Sequence, residues 1–89
     1  MGIIGLKIKL MPESPSTDLE IIKKSAMHIV EKGGGRNRNY EIEPIAFGLK
    51  AIIAFFEWPE EKELEHIEEA FRKIKNVSSV QVIDMRKIA

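Results

Sequence analysis

Hydrophobic and polar residues alternate near the start of the chain, with Ile4, Leu6, Ile8 and Leu10 on one side and Gly5, Lys7, Lys9 and Met11 on the other. A period of two is the signature of a strand with one buried face, and Pro12 and Pro15 end it. The period then changes. Leu19, Ile22, Ala26, Ile29 and Val30 recur at helical spacing, from a Thr17/Glu20 pair with the form of a capping box to the stop at Gly33-Gly34-Gly35. After a polar loop, residues 40–46 and 49–57 read as two strands joined as a hairpin at Phe47-Gly48. Pro59 suits a first helical turn, Glu60, Glu61 and Glu63 suit the positive end of a helix dipole, and Leu64, Ile67, Phe71 and Ile74 make one apolar stripe. A β-branched run, Val77, Val80, Val82 and Ile83, then leads into Met85-Arg86-Lys87.

The order β-α-β-β-α-β, with helices long enough to cross over, predicts an α+β fold of the ferredoxin-like type: a four-stranded antiparallel sheet with two helices on one face. The other face is expected to be partly wet and to carry Lys7, Lys9 and Lys50. Residues 1–89 read as a single domain, because a chain of 89 residues buries little over ~60% of its unfolded surface.

Composition narrows the function classes. No apolar run approaches the ~20 residues of a membrane span, and Met1-Gly2-Ile3-Ile4-Gly5-Leu6-Lys7 lacks the features of a secretory signal, so a cytoplasmic protein is expected. Without cysteine there is no disulfide, thiolate metal site or cysteine nucleophile. Fourteen basic and fourteen acidic side chains cancel, so no global field attracts nucleic acid or lipid, and no direct nucleic-acid binding is expected.

Residues that carry chemistry elsewhere read here as structure. Gly33-Gly34-Gly35-Arg36-Asn37-Arg38 is not followed by Gly-Lys-Ser/Thr and comes after a helix, so it reads as a mobile C-cap and loop. His28 and His66 lack a second histidine at i+4, and the glutamates of residues 57–69, with Lys62, Arg72 and Lys73 nearby, read as a solvated helix face. The serines have no nucleophile elbow. Neither a catalytic constellation nor a metal or cofactor site is expected. Phe47 stands apart, since a phenylalanine beside Gly48 at a hairpin tip either folds back over the end of the core or is an exposed aromatic anchor.

Pro44, Ile45, Phe47, Gly48, Leu49 and Lys50, read with Met85 and Lys87 near the end of the chain, resemble the Pro-Ile-x-Phe-Gly-Ile/Leu-Lys hairpin and C-terminal Met-x-Lys of the elongation factor 1-beta family. The resemblance spans the whole chain and implies a guanine-nucleotide exchange factor for elongation factor 1-alpha, acting without bond chemistry and monomeric when free. It implies that Phe47 is the aromatic contact with the partner and that Lys87 disturbs the partner's magnesium site, with Pro44, Gly48, Lys50, Met85 and Arg86 around them. Arg86, beside Lys87, leaves open which cation enters that site. The acidic segment and N-terminal domain of eukaryotic members are missing, which implies the compact archaeal form. An RNA-binding module and a regulatory ligand-binding or oligomerisation domain are the alternatives for such a fold. Against the first, the central strands are expected to offer lysine and aliphatic residues rather than stacking aromatics. Finally, the second and fourth strands end at opposite edges and opposite ends of the predicted sheet, which separates Phe47 from Lys87 by roughly 25–30 Å.

Overall fold

The computed structural model describes residues 2–89. Along the chain follow β1 (Ile3–Pro12), α1 (Leu19–Lys32), β2 (Arg36–Pro44), β3 (Lys50–Pro59), α2 (Leu64–Arg72) and β4 (Val77–Lys87). The strands pair antiparallel in the order β2-β3-β1-β4, so that β2 and β4 are the edges. Such interleaving of two βαβ halves is the expected ferredoxin-like α+β arrangement.

The core follows from the two periods. Ile22, Ala26 and Val30 of α1 and Ile67 and Phe71 of α2 are buried against Leu6, Ile8, Leu10, Ile52, Ala54, Phe56 and Trp58 of the central strands. Phe56 sits edge-on to both Trp58 (6.1 Å between centroids) and Phe71 (5.8 Å), the geometry aromatic quadrupoles favour.

The glycine run after α1 is a closed structure and not the mobile loop its composition suggests. Gly34 takes φ 93° and donates to Glu31 O (3.1 Å), while Gly35 donates to Val30 O (2.9 Å), which together make a Schellman closure. Gly35 has a second role, because a Cβ there would lie 2.8 Å from Cε3 of Trp58. The Lys62 ammonium donates to Gly33 O and stands 5.7 Å from the centre of the Trp58 ring, fastening the turn from outside.

Several boundaries differ from the sequence expectation. Helix α1 is capped by Asp18, whose carboxylate accepts from Glu20 N at 3.0 Å, and not by Thr17, whose hydroxyl accepts from Ser14 N at 3.3 Å within the preceding loop. Strand β2 starts at Arg36 instead of residue 40, with an irregularity between Asn37 and Asn39. Its polar residues misled because an edge strand faces water on one side. Asn37 donates to Met27 O (3.0 Å) and accepts from the Tyr40 hydroxyl (2.6 Å), so this stretch is tied to α1. Burial, and then the charge of Glu31, push the Tyr40 hydroxyl above its ordinary range and keep it a donor. Pro59 ends β3 opposite Ile3 rather than opening α2, which starts at Leu64 after a turn closed by Lys62 N to Pro59 O at 3.1 Å.

Candidate functional site

Ladder register decides where each sequence-singled residue lies. At the β2–β3 turn, Leu49 N donates to Ala46 O at 3.1 Å and Ile45 N to Leu49 O at 2.7 Å, leaving Phe47 and Gly48 as the two central residues. Their φ values are 57° and 77°, the double positive φ of a type I′ turn, whose twist matches that of the flanking strands. Glycine takes this conformation freely, whereas a phenylalanine held there is strained by about 1–3 kcal/mol. The result is a side chain 95% exposed, with no core contact. Of the two readings left open for Phe47, folding back over the core is excluded.

Pro44 and Lys50 form the last pair of the β2–β3 ladder, immediately below this tip. Lys50 shares the sheet face of Ile52 and Ala54, so it projects on the helix side and not from the open face as expected. The unbroken apolar run of residues 51–54 hides the phase of alternation, and only the register restores it. Beside the tip, a concavity of about 530 Å³ is lined by Pro15, Leu19, Ile42, Gly48 and Lys50.

The other candidates stand at the far end of the sheet. Strand β4 continues through Lys87, so Met85, Arg86 and Lys87 belong to the ladder and not to a free tail. Ile88 N and Ala89 N donate to Ile3 O at 2.8 and 3.2 Å, and Ile3 N donates to Ala89 O at 2.8 Å. Arg86 pairs with Gly5 and Lys87 with Ile4, so the two cations leave opposite faces of the sheet. Arg86 projects from the open face, where its Nε donates to Asp84 at 3.1 Å. Lys87 projects on the helix side, and its ammonium lies 3.7 Å from the Glu60 carboxylate in the β3–α2 turn. Met85, opposite Leu6, is half exposed at the edge of the same side.

Phe47 therefore lies beyond Pro44 and Lys50, whereas Lys87 is aligned through Ile4 with Trp58. The span of β3 from Lys50 to Trp58 covers roughly 26 Å at ~3.3 Å per residue, in a domain 42 Å along its longest axis. Two contact candidates thus occupy opposite ends, as the predicted topology requires.

Sequence reasoning missed two neighbours. Glu60 faces Lys87, although nothing in its local sequence announces it. Phe55 pairs with Lys7 and lies on the open face of a central strand, contrary to the expectation of lysine and aliphatic side chains alone there. The Lys7 ammonium stands 5.6 Å from the centre of its ring, and the ring is only partly exposed. Further along that face, Lys9 reaches Glu43 at 3.9 Å across β3, where Ala51 and Ile53 are buried. Among the described residues, no group of three or more His, Cys, Asp or Glu side chains converges to hold a metal, and no helix is long and apolar enough to cross a membrane.

Comparison with known proteins bears on what this arrangement serves. A family model of the EF-1 guanine nucleotide exchange domain matches residues 6–88. An elongation factor 1-beta from Methanosarcina barkeri is 43% identical over 89 residues, covering 99% of this chain and all of the relative. One from Methanococcus maripaludis is 37% identical over 87 residues, covering 96% of this chain and 97% of the relative. Among solved structures, the ACT domain from GTP pyrophosphokinase of Chlorobium tepidum superposes with a TM-score of 0.63 over 89% of this chain and 96% of that one, at 13% identity, a likeness of fold alone.

Proposed function

This chain belongs to the elongation factor 1-beta family of translation factors, with the family's guanine nucleotide exchange domain, and from that membership we propose that it releases GDP from elongation factor 1-alpha through a grip at two separated points. The observation that carries the grip is the exposure of Phe47 on a strained turn at the end of the sheet opposite Lys87. A strained, uncovered aromatic is a poor choice for stability. It is the expected choice for an anchor that enters a partner's pocket.

In this reading Phe47 enters an apolar pocket on one domain of the GTPase, while Pro44, Gly48 and Lys50 shape the turn and its flank. At the other end, the Lys87 ammonium exchanges Glu60 for the carboxylate and hydroxyl groups that hold the magnesium ion in a P-loop GTPase. Magnesium links those groups to the phosphates, so a competing cation weakens retention of the nucleotide. Lys87 is assigned this step in preference to Arg86, which points to the other face and is held by Asp84. Met85 supplies apolar contact beside it. No bond is made or broken, and coupling is reciprocal: incoming nucleotide with magnesium must expel the factor, so the cellular ratio of GTP to GDP sets the net direction.

Calorimetric titration of elongation factor 1-alpha tests this linkage. Binding to the nucleotide-free partner is expected to be at least tenfold tighter than to the partner loaded with GDP and magnesium, since coupling factors of about 5–150 are typical. Equal affinities for the two forms overturn the mechanism.

A further inference from the structure

The open face of the sheet is electrically divided. Toward the Phe47 end it carries Glu41 and Glu43, with Lys9 committed to Glu43. Toward the Lys87 end it carries three cations placed by the register, Lys7, Arg36 and Arg86, and a fourth, Arg38, placed by its contact with Glu57, against two anions, Glu57 and Asp84. Both anions are already used: Arg38 holds Glu57 at 2.7 Å and Arg86 holds Asp84 at 3.1 Å. Arg36 and Lys7 have no carboxylate within 4.0 Å among the described residues. Arg36 is exposed and lies in register with Glu57, Gly5 and Arg86 in one row across the sheet. At the centre of this half the Ile88 and Phe55 side chains pack over Gly5, and a concavity of about 220 Å³ is bordered by Phe55, Arg86 and Ile88.

On the reading that this chain exchanges nucleotide on elongation factor 1-alpha, we infer that the cationic half of the open face, with Arg36 as its free charge, is a second docking surface for that GTPase. Its occupant is the carboxylate-bearing surface of the nucleotide-binding domain beside the magnesium site. Charge complementarity selects this occupant, because the magnesium ion of a P-loop GTPase is held by an aspartate beside a Ser/Thr hydroxyl, and losing the metal leaves that carboxylate unscreened. Position selects it too. Arg36 and Lys87 belong to the same end of the sheet, on its two opposite edges and faces, so a partner surface that meets Lys87 and passes over that end of all four strands reaches Arg36 on the other side. Lys87 acts on the metal site, while Arg36 steers and holds.

The two roles separate in stopped-flow measurements of fluorescent GDP release from elongation factor 1-alpha at increasing factor concentration and several salt concentrations. Arg36→Glu is expected to raise the half-saturating concentration about tenfold, to flatten its salt dependence and to keep the rate at saturation. The neutral Arg36→Gln is expected to give a smaller shift in the same direction, with an unchanged melting curve. Lys87→Ala should instead lower the rate at saturation. An unaltered half-saturating concentration in both Arg36 variants, with Lys87→Ala impaired, overturns the docking surface alone. If Lys87→Ala also exchanges like the parent protein, the exchange reading fails and the inference with it. Loss of single-stranded RNA binding in Arg36→Glu with exchange intact assigns the face to RNA and overturns the proposal.

Discussion

Phe47 shows how much a single residue can reveal and conceal. Its place at a hairpin tip beside Gly48 was legible, because two strand-like runs flank a Phe-Gly pair. Its positive φ was not, since type I′ turns ordinarily place Asn, Asp or Gly in the first central position. The strain gives a prediction with two signs. Phe47→Gly should stabilise the free domain, by up to about 1–2 kcal/mol through relief of the left-handed conformation, while removing the anchor. Phe47→Ala keeps the strain, so its melting temperature should hardly change, yet it should weaken binding to elongation factor 1-alpha by about 2 kcal/mol or more. Melting curves and binding titrations on both variants check this. A loss of about 3–5 kcal/mol in stability, the cost of deleting a core phenylalanine, contradicts the exposed tip.

At the scale of elements, amphipathic periodicity was enough for β1 and for both helices, and the β-branched run was enough for most of β4. Errors arose wherever periodicity was silent. The residues of β2 before Tyr40 are polar because they line an edge, the apolar run of β3 concealed the open-face position of Phe55 and the helix-side position of Lys50, and Pro59 fits a strand end as well as a helix start. The cap of α1 moved to Asp18 because its carboxylate reaches the N–H of Glu20. Asp18→Ala is therefore expected to destabilise the domain by about 1 kcal/mol, and Thr17→Ala by less, in denaturant titrations. The turn after α1 gives a larger effect. Gly35→Ala drives a methyl group against the indole of Trp58 and the carbonyl of Glu57 and should cost about 1–3 kcal/mol, with exchange activity retained by the folded fraction. In β4 the ladder holds Lys87 by its backbone, so Lys87→Ala should leave melting unchanged and strongly slow stimulated GDP release. Arg86→Ala, whose side chain leaves the other face, should have the smaller effect on the maximal rate. A reversal of that ranking moves the magnesium-site cation to Arg86.

For the whole molecule, the fold and the separation of the two ends followed from element order, whereas Glu60 beside Lys87 and the charged division of the open face required the strand register. The net charge of zero conceals that division. With fourteen acidic side chains offsetting fourteen basic ones, single-stranded RNA should bind only weakly at physiological salt, on the order of 10⁻⁴–10⁻⁶ M and without sequence preference. Phe47 and Lys87 are too far apart to share a partner pocket, so their binding penalties in the double variant should add to within about 0.5 kcal/mol. Strong coupling contradicts the two-ended grip.

The exchange claim meets its most direct test in the release of a fluorescent GDP from elongation factor 1-alpha, followed by stopped flow in excess unlabelled nucleotide with increasing amounts of this protein. Release should accelerate with concentration and approach a plateau, with Lys87→Ala remaining near the unstimulated rate under the same conditions. A release rate that does not change as the protein is added contradicts the account.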